Sequence, residues 1–459
     1  MNDTICALAT APGGALGIIR ISGPHALEIL SPIVRGSGDV QSFPANTIHY
    51  GHLVEFDAVS QHPVPIDEVM VSIFKAPHSY TGEDSVEISC HGSRYILNKV
   101  LELLIQNGCR MANPGEFTQR AYLNGKMDLS QAEAVADLIA STNKATHQIA
   151  MSQLRGHFSS ELSQLREQLL RLTSLLELEL DFSDHEDLEF ADRSELLELT
   201  ETINHQVIRL AKTFETGQAL KQGIPVAIVG KTNVGKSTLL NRLLKDDRAI
   251  VSDIHGTTRD TIEDTIDING ITFRFIDTAG IRQTTDEVEQ IGIARTYAAI
   301  DKARIVLWLI DSEPSESELT EMQDRCKDKS LITLQNKVDK ISEDFTSHLP
   351  YFSPSHLLKI SAKYGTGLDT LESAIYESAN IPTLQENDVI VTNARHYDAL
   401  IRANEHLQRV LDGLNNEISG DLLSEDLRLT LDVLAEITGG QITPNEVLGN
   451  IFKNFCVGK

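Results

Sequence analysis

The spacing of apolar residues changes character three times along this chain. Up to about Arg120 they come in short runs. Leu16-Gly-Ile-Ile-Arg-Ile-Ser22, Asp67-Glu-Val-Met-Val-Ser-Ile-Phe74 and Ser85-Val-Glu-Ile-Ser89 alternate or cluster β-branched residues, the pattern of strands. Between Ser93 and Ile105 the period lengthens, and Ile96, Val100, Leu101 and Leu104 share one helical face. This part predicts a compact α+β domain. From about Gln131 helix dominates, first through Ala132, Ala134, Val135, Leu138 and Ile139. A leucine stripe follows at Leu162, Leu165, Leu169, Leu172, Leu175 and Leu176, which predicts bundle packing, with a long coiled coil as the second reading. Residues 223–380 alternate strands with helices and predict a parallel sheet, and from Ala394 the helical pattern resumes. The expected class is multidomain, α/β plus all-α. Its domains are an α+β domain at 1–120, a helical domain split between 121–218 and 381–459, and an α/β domain inserted at 219–380.

The strongest chemical signal sits where the inserted region begins. The apolar run from Ile224 to Val229 ends in Gly230, and after four intervening residues Gly235, Lys236 and Ser237 lead into a helical pattern. This is G-x-x-x-x-G-K-[ST] between a strand and a helix. Backbone N–H groups along Gly230, Asn233, Val234, Gly235 and Thr238 can curl around a phosphate chain, aided by the partial positive charge of the helix N-terminus. Lys236 would reach the β- and γ-phosphates, and the Ser237 hydroxyl would take one Mg²⁺ position.

Further motifs identify the base and the metal environment. Asp277-Thr278-Ala279-Gly280 follows a strand; Asp277 can hold a Mg²⁺-bound water and the Gly280 N–H can meet the γ-phosphate. Asn336-Lys337-Val-Asp339 ends another strand, where the Asp339 carboxylate can accept both guanine N1–H and the exocyclic amine. Adenine offers no such donor pair. Ser361-Ala362-Lys363 would close over the base, and Gly256-Thr257-Thr258-Arg-Asp260 offers a threonine to close over Mg²⁺. The set predicts a GTPase, with an ATPase as the alternative. Ile281 stands where Ras-like enzymes carry a water-positioning glutamine, so Asp286, Glu287 and Glu289 become candidates for orienting the attacking water. Asn233 either recruits a monovalent cation to the phosphates or stabilises the loop.

Composition narrows the setting. A formal charge of −26 over 459 residues argues against a protein that coats nucleic acid non-specifically. The five scattered cysteines form neither a C-x-x-C pair nor a zinc spacing, which predicts a reducing, cytoplasmic compartment without a disulfide framework. No apolar run approaches the roughly 20 residues of a membrane span, so no membrane partner is expected. The acidic stretch Asp181 to Glu189 reads as a solvated loop, with a metal site as the alternative. At the C-terminus, Thr443-Pro-Asn-Glu446 predicts a capped helix with Val447, Leu448, Ile451, Phe452 and Phe455 on its apolar face. It delivers Cys456-Val-Gly-Lys459. Lys453 and Lys459 would favour a thiolate at Cys456, against the reading of a buried cysteine without chemistry.

The order of regions, Asn233 in the phosphate loop, Gly256-Thr-Thr-Arg-Asp260 and the terminal Phe-Cys-Val-Gly-Lys together resemble the MnmE (TrmE) family of tRNA modification GTPases, over essentially the whole chain. Thr232 and Val457 depart from the family's usual Pro and Ile or Leu. The resemblance implies a homodimer with an N-terminal folate-binding, dimerising domain, which modifies carbon 5 of the wobble uridine of certain tRNAs together with the FAD-containing partner MnmG, in a heterotetramer. The added group is aminomethyl or carboxymethylaminomethyl, with the methylene drawn from a 5-formyl- or 5,10-methylene-tetrahydrofolate. It implies K⁺ on Asn233, Ser252, Ile254 and Thr257, and Mg²⁺ on Ser237 and Thr258. Asp253 and His255 complete the nucleotide loop from Ser252 to Thr258, and Glu289 orients the water. Arg20, Glu87, Lys126 and Lys459 correspond to folate-contacting positions, and Cys456 to the cysteine needed for modification. The competing reading is a GTP-switched ribosome-assembly factor without modification chemistry; a third, a membrane-remodelling GTPase, would need an amphipathic basic helix or apolar anchor that the sequence does not offer.

Overall fold

The computed structural model describes residues 3–36, 38–56, 62–181, 193–246, 264–276, 289–340, 357–382, 385, 387–416, 418–440, 445–453 and 455–458. They divide by packing into two units. One comprises Met1–Ala140, Ala150–Ile208 and Asp398–Lys459, and the other Ser141–Ile149 and Arg209–Tyr397. Three of the four boundaries fall inside the helices Lys144–Leu154, Arg193–Gln222 and Ala394–Asn415, and the fourth follows the end of helix Leu129–Ala140. Residues 141–149, 209–218 and 381–397, which the pattern assigns to the helical domain, thus pack with the α/β unit. Their apolar residues explain it: Ala145, Ile149 and Ile390 share one buried cluster with the sheet residues Ile224, Ile266 and Ile271.

In the first unit the described strands are β1 (Ile5–Leu8), β2 (Leu16–Ser22), β3 (Val34–Gly36), β4 (Thr47–Phe56), β5 (Pro63–Phe74), β6 (Ser85–His91) and β7 (Arg110–Met111). They form one sheet in the order β3-β4-β5-β6-β2-β1-β7. All pairings are antiparallel except β1 with β7. Successive side chains of a strand point to opposite faces. Ile19, Ile21, Val86 and Ile88 therefore bury one face with Leu97, Val100, Leu103 and Leu104 of helix Arg94–Gln106. The register opposes Arg20 to Glu87 on the other face. The leucine stripe lies on one long helix, His157–Asp181, with Leu162, Leu165, Leu169, Leu172 and Leu176 buried and Leu175 only half-buried. Each fully buried leucine contributes roughly 1.5–3 kcal/mol. The helix packs along Gly420–Thr438, and Arg428 there bonds Glu177 at 2.8 Å. A bundle rather than a solitary coiled coil accounts for the stripe.

In the second unit the described strands are β8 (Ile224–Gly230), β9 (Asp264–Ile268), β10 (Ile271–Phe275), β11 (Ile305–Ile310), β12 (Ser330–Gln335) and β13 (Leu357–Lys359), in the order β13-β12-β11-β8-β10-β9. Helices cover both faces. Ile228 packs with Leu239 and Leu243, whereas Ala227 and Val229 pack with Ile300 and Ala303. The sheet is not wholly parallel, which corrects the expectation: β9 runs antiparallel to β10. The cause is the turn Asn269-Gly270, whose φ values of 55° and 82° suit a tight hairpin.

Candidate functional site

The phosphate loop follows β8, and its shape rests on residues that tolerate positive φ. Gly230 has φ 147° and Gly235 φ 107°; a Cβ on Gly235 would lie 2.3 Å from Asn336 Nδ2. Asn233 adopts φ 58°, a conformation that asparagine enters more readily than most residues. The Lys236 ammonium donates to the carbonyls of Gly230 at 2.6 Å and Lys231 at 2.7 Å. Burial lowers its pKa below the ordinary lysine value. A phosphate oxygen in the cradle would therefore favour the ammonium. Ser237 and Thr238 lie in the first turn of helix Lys236–Asp246.

Across the sheet, buried Asn336 ties two loops together. Its Nδ2 donates to the Val234 carbonyl at 2.8 Å, and its Oδ1 accepts the Ala362 N–H at 3.0 Å. Lys337, at φ 62°, reaches Asp311 at 2.6 Å. Exposed Asp339 accepts the hydroxyl of buried Ser361 at 2.7 Å. That bond holds the Asp339 carboxyl below its ordinary pKa, so it stays an acceptor into acid. Lys363 lies over the exposed Tyr364 ring, 5.0 Å from its centroid. Lys231 also pairs with Glu318 at 2.8 Å, which anchors the loop to helix Glu316–Arg325.

A second constellation forms in the other unit, where Arg20 meets the C-terminal tail. Arg20 Nη2 lies 2.8 Å from Glu87, and Nη1 donates to the Gly458 carbonyl at 3.3 Å. Its guanidinium sits 5.6 Å from the ring centroid of Tyr80 and 5.7 Å from that of Phe117. The Gly115 N–H donates to the Cys456 carbonyl at 3.3 Å. Gly458, at φ 93°, fits where a Cβ would lie 2.3 Å from the Leu8 carbonyl. Cys456 itself is exposed, which removes the buried-cysteine reading. Lys126 donates to the Pro77 carbonyl at 2.9 Å and lies against Gly82.

Residues 4–126 match the family described as GTP-binding protein TrmE N-terminus, and residues 129–456 match the MnmE helical domain. The tRNA modification GTPase MnmE of Bacteroides thetaiotaomicron is 54% identical over 471 residues, covering 100% of each chain. The protein of that name from Bacteroides fragilis is 55% identical over 472 residues, again covering 100% of each. The chain belongs to the tRNA modification GTPase MnmE family. It is accordingly a P-loop GTPase. Among solved structures, the G domain of the T. maritima FeoB iron transporter aligns at 25% identity over 34% of this chain and 98% of that one, with a TM-score of 0.26.

Within this MnmE family member the fold gathers Gly230, Asn233, Val234, Gly235, Lys236, Asn336 and Ala362 at one end of the second sheet. Ser252, Asp253, Ile254, His255, Gly256, Thr257, Thr258, Asp277, Thr278, Ala279, Gly280, Asp286, Glu287, the capping residues Thr443 and Pro444, and Lys459 lie outside the described residues, as does most of the acidic stretch. Glu289 is the first residue of helix Glu289–Lys302. Arg20 and Glu87 are each other's partner rather than two independent charges. Any anion at Arg20 must share the guanidinium with Glu87 and the tail carbonyl. Sequence reasoning missed Tyr80, Phe117 and Asp311; only their tertiary neighbours give them a role.

Proposed function

We propose that this chain couples GTP hydrolysis to modification of carbon 5 of the wobble uridine of tRNA, acting as a homodimer with an FAD-containing MnmG partner in the cytoplasm. The observation that carries the reading is the seating of the tail. Arg20 bonds Gly458 while Cys456, two residues earlier, remains exposed.

In the second unit, Lys236 would leave the carbonyls of Gly230 and Lys231 for the phosphates, a short move because both sit in the same loop. Asp339 would accept the guanine donors, oriented by Ser361. Two of the proposed cation ligands lie among the described residues: Asn233, with its left-handed backbone, stands in the loop before Lys236, and Ser237 lies in the first turn of the helix. Ser237 with Thr258 would hold Mg²⁺, and Asn233 with Ser252, Ile254 and Thr257 would hold K⁺. Bound there, the ions would supply positive charge where the β–γ bond breaks. Glu289 would orient the water.

In the first unit, Lys126 and Lys459 offer cations to the carboxylates of a folate, while Arg20 and Glu87, paired with one another, would meet one part of the molecule together. The Arg20–Glu87 pair fits such a molecule because it presents both charges side by side. A bound tetrahydrofolate derivative, 5-formyl- or 5,10-methylene-, would supply the one-carbon unit. The thiol of Cys456 stands free to serve that chemistry.

The test is nucleoside analysis of tRNA from cells lacking this protein, complemented with the parent or with Cys456→Ser. Loss of the wobble modification with Cys456→Ser and recovery with the parent is the expected outcome. Unchanged wobble uridines without the protein would overturn the reading. GTP turnover at equal rates in K⁺ and Na⁺ would remove the cation role of Asn233, and a Glu289→Ala protein turning over at the parent rate would dispose of Glu289.

A further inference from the structure

One buried guanidinium underlies the tail corner. Arg120 lies on helix Glu116–Leu123 with its side chain 1% exposed. Its Nη1 donates to the Asp3 carbonyl at 2.9 Å and to Glu83 at 3.1 Å, and its Nη2 to Asp3 Oδ1 at 2.9 Å and Glu116 at 3.1 Å. Glu116, 3% exposed, is shared with Arg110 at 2.6 Å and accepts the Asn113 N–H at 2.8 Å. A buried charge is tolerated only when its partners are in place. This network therefore fixes three pieces of chain against one another: the N-terminal edge at Asp3, the segment Ser79 to Glu83, and the turn from Asn113 to Gly115.

Two of these pieces touch the tail or Arg20. Gly115, at φ 67°, precedes the helix and donates its N–H to the Cys456 carbonyl; a Cβ there would lie 2.9 Å from Phe455 Cβ and from the Phe452 carbonyl. Phe117 of the same helix lies beneath Arg20. Thr118 bonds the hydroxyl of Tyr80, the other ring under Arg20, at 2.9 Å. Glu83 accepts the Ser22 hydroxyl at 2.8 Å, two residues from Arg20 on β2.

We propose that Arg120 is a positioning residue for the modification reaction: through Glu116 and Glu83 it holds the Gly115 turn that seats Cys456 in register with the Arg20–Glu87 pair. The role of Cys456 rests on the proposed function, whereas the seating does not. Arg120 touches neither the thiol nor Arg20; it acts through the turn and the rings. Its planar fork matters as much as its charge, because four acceptors lie in different directions.

The test uses full-length Arg120→Met, Arg120→Lys and Gly115→Ala. Amide hydrogen exchange of residues 455–458 reads the seating, and the kcat and KM for tRNA modification read its consequence. Exchange should rise about tenfold or more in Arg120→Met and Gly115→Ala, with modification kcat falling by a similar factor and KM for tRNA nearly unchanged. GTP turnover should stay within about twofold of the parent. A role in folding alone would be largely rescued by Arg120→Lys, which keeps the charge; the proposal expects that variant to fold, with a melting temperature above that of Arg120→Met, but to keep the loosened tail. Parent-like exchange in a folded Arg120→Met protein would overturn the seating. Loosened exchange with a parent kcat would overturn the positioning. If Cys456→Ser modifies tRNA at the parent rate, the reading of Cys456 fails instead, and the exchange arm still judges the socket.

Discussion

The phosphate loop and the Arg20 corner, the site proposed for a folate, are built from opposite kinds of sequence. The loop is local: Gly230 to Ser237 set their own backbone, and Lys236 finds its resting partners in the same turn. The corner is assembled from Arg20, Glu87, Phe117 and Gly458, which only the folded chain brings together. A local site has a signature; an assembled one has only chemistry. The loop therefore depends on a few irreplaceable backbone positions, whereas the corner depends on a network whose members share their partners.

The sharpest way to break this comparison is to remove Lys236. Lys236→Ala deletes the only loop side chain expected to meet the β- and γ-phosphates. GTP turnover should fall roughly 10²–10³-fold, the cost of deleting one preorganised donor at developing charge, measured by phosphate release. The exchange of residues 455–458 should not change. A tail loosened by Lys236→Ala would show that the corner is not self-contained.

Next comes the base. Asp339→Asn replaces an acceptor by a donor at the guanine edge, and a hydrogen bond to a charged group contributes about 1.5–3 kcal/mol. GTP affinity should fall roughly 10- to 100-fold, while a nucleotide with a carbonyl in place of the exocyclic amine should gain. Equal losses for both nucleotides, read by competition titration, would remove Asp339 from the base.

The two regions also differ in how far they could be read beforehand. Strand β2 and the helix Arg94–Gln106 were legible because period two and period 3.6 each bury one face against one core, and β8 because its continuous apolar run is buried on both faces. The antiparallel edge at β9 was legible in Asn269-Gly270, yet alternation of strands and helices suggested parallel pairing throughout. Three of the unit boundaries were hidden because helices run through them without a break in period. At the loop, the motif named Lys236 and Asp339 but not the clamp role of Asn336, which depends on Val234 and Ala362 arriving on either side. At the corner, residue types alone gave charges without partners. The pairing of Arg20 with Glu87 follows from strand register, and no local pattern announces it.

A milder perturbation probes the assembly itself. Arg20→Ala removes the donor to the Gly458 carbonyl while Gly115 still holds Cys456. Losing one hydrogen bond from a charged donor should raise exchange at Gly458 about tenfold. At Val457, one residue nearer the Gly115 bond, the rise should be smaller, and GTP turnover should hold. Uniform exchange across 455–458 would mean that the tail moves as one piece.

The smallest expected effect lies in the acid limb of stability. Burial alone would raise the Glu116 carboxyl, but the bonds from Arg110, from the Asn113 N–H and from Arg120 outweigh it and leave the pKa below its ordinary value. Asp3 is likewise lowered, its burial outweighed by Arg110 and Arg120. A depressed carboxyl contributes stability that is present above its unfolded value, near pH 4 to 5, and is lost as pH falls through the folded value. Melting of the parent should therefore decline with acid below about pH 5. Glu116→Gln should lower the melting temperature at neutral pH by roughly 2–5 °C and flatten that decline. Parallel melting curves for parent and Glu116→Gln from pH 7 to 3 would show that the charge on Glu116 is not what the buried guanidinium holds. The comparison would then shift, because the corner would rest on packing around Phe117, as the phosphate loop rests on its backbone.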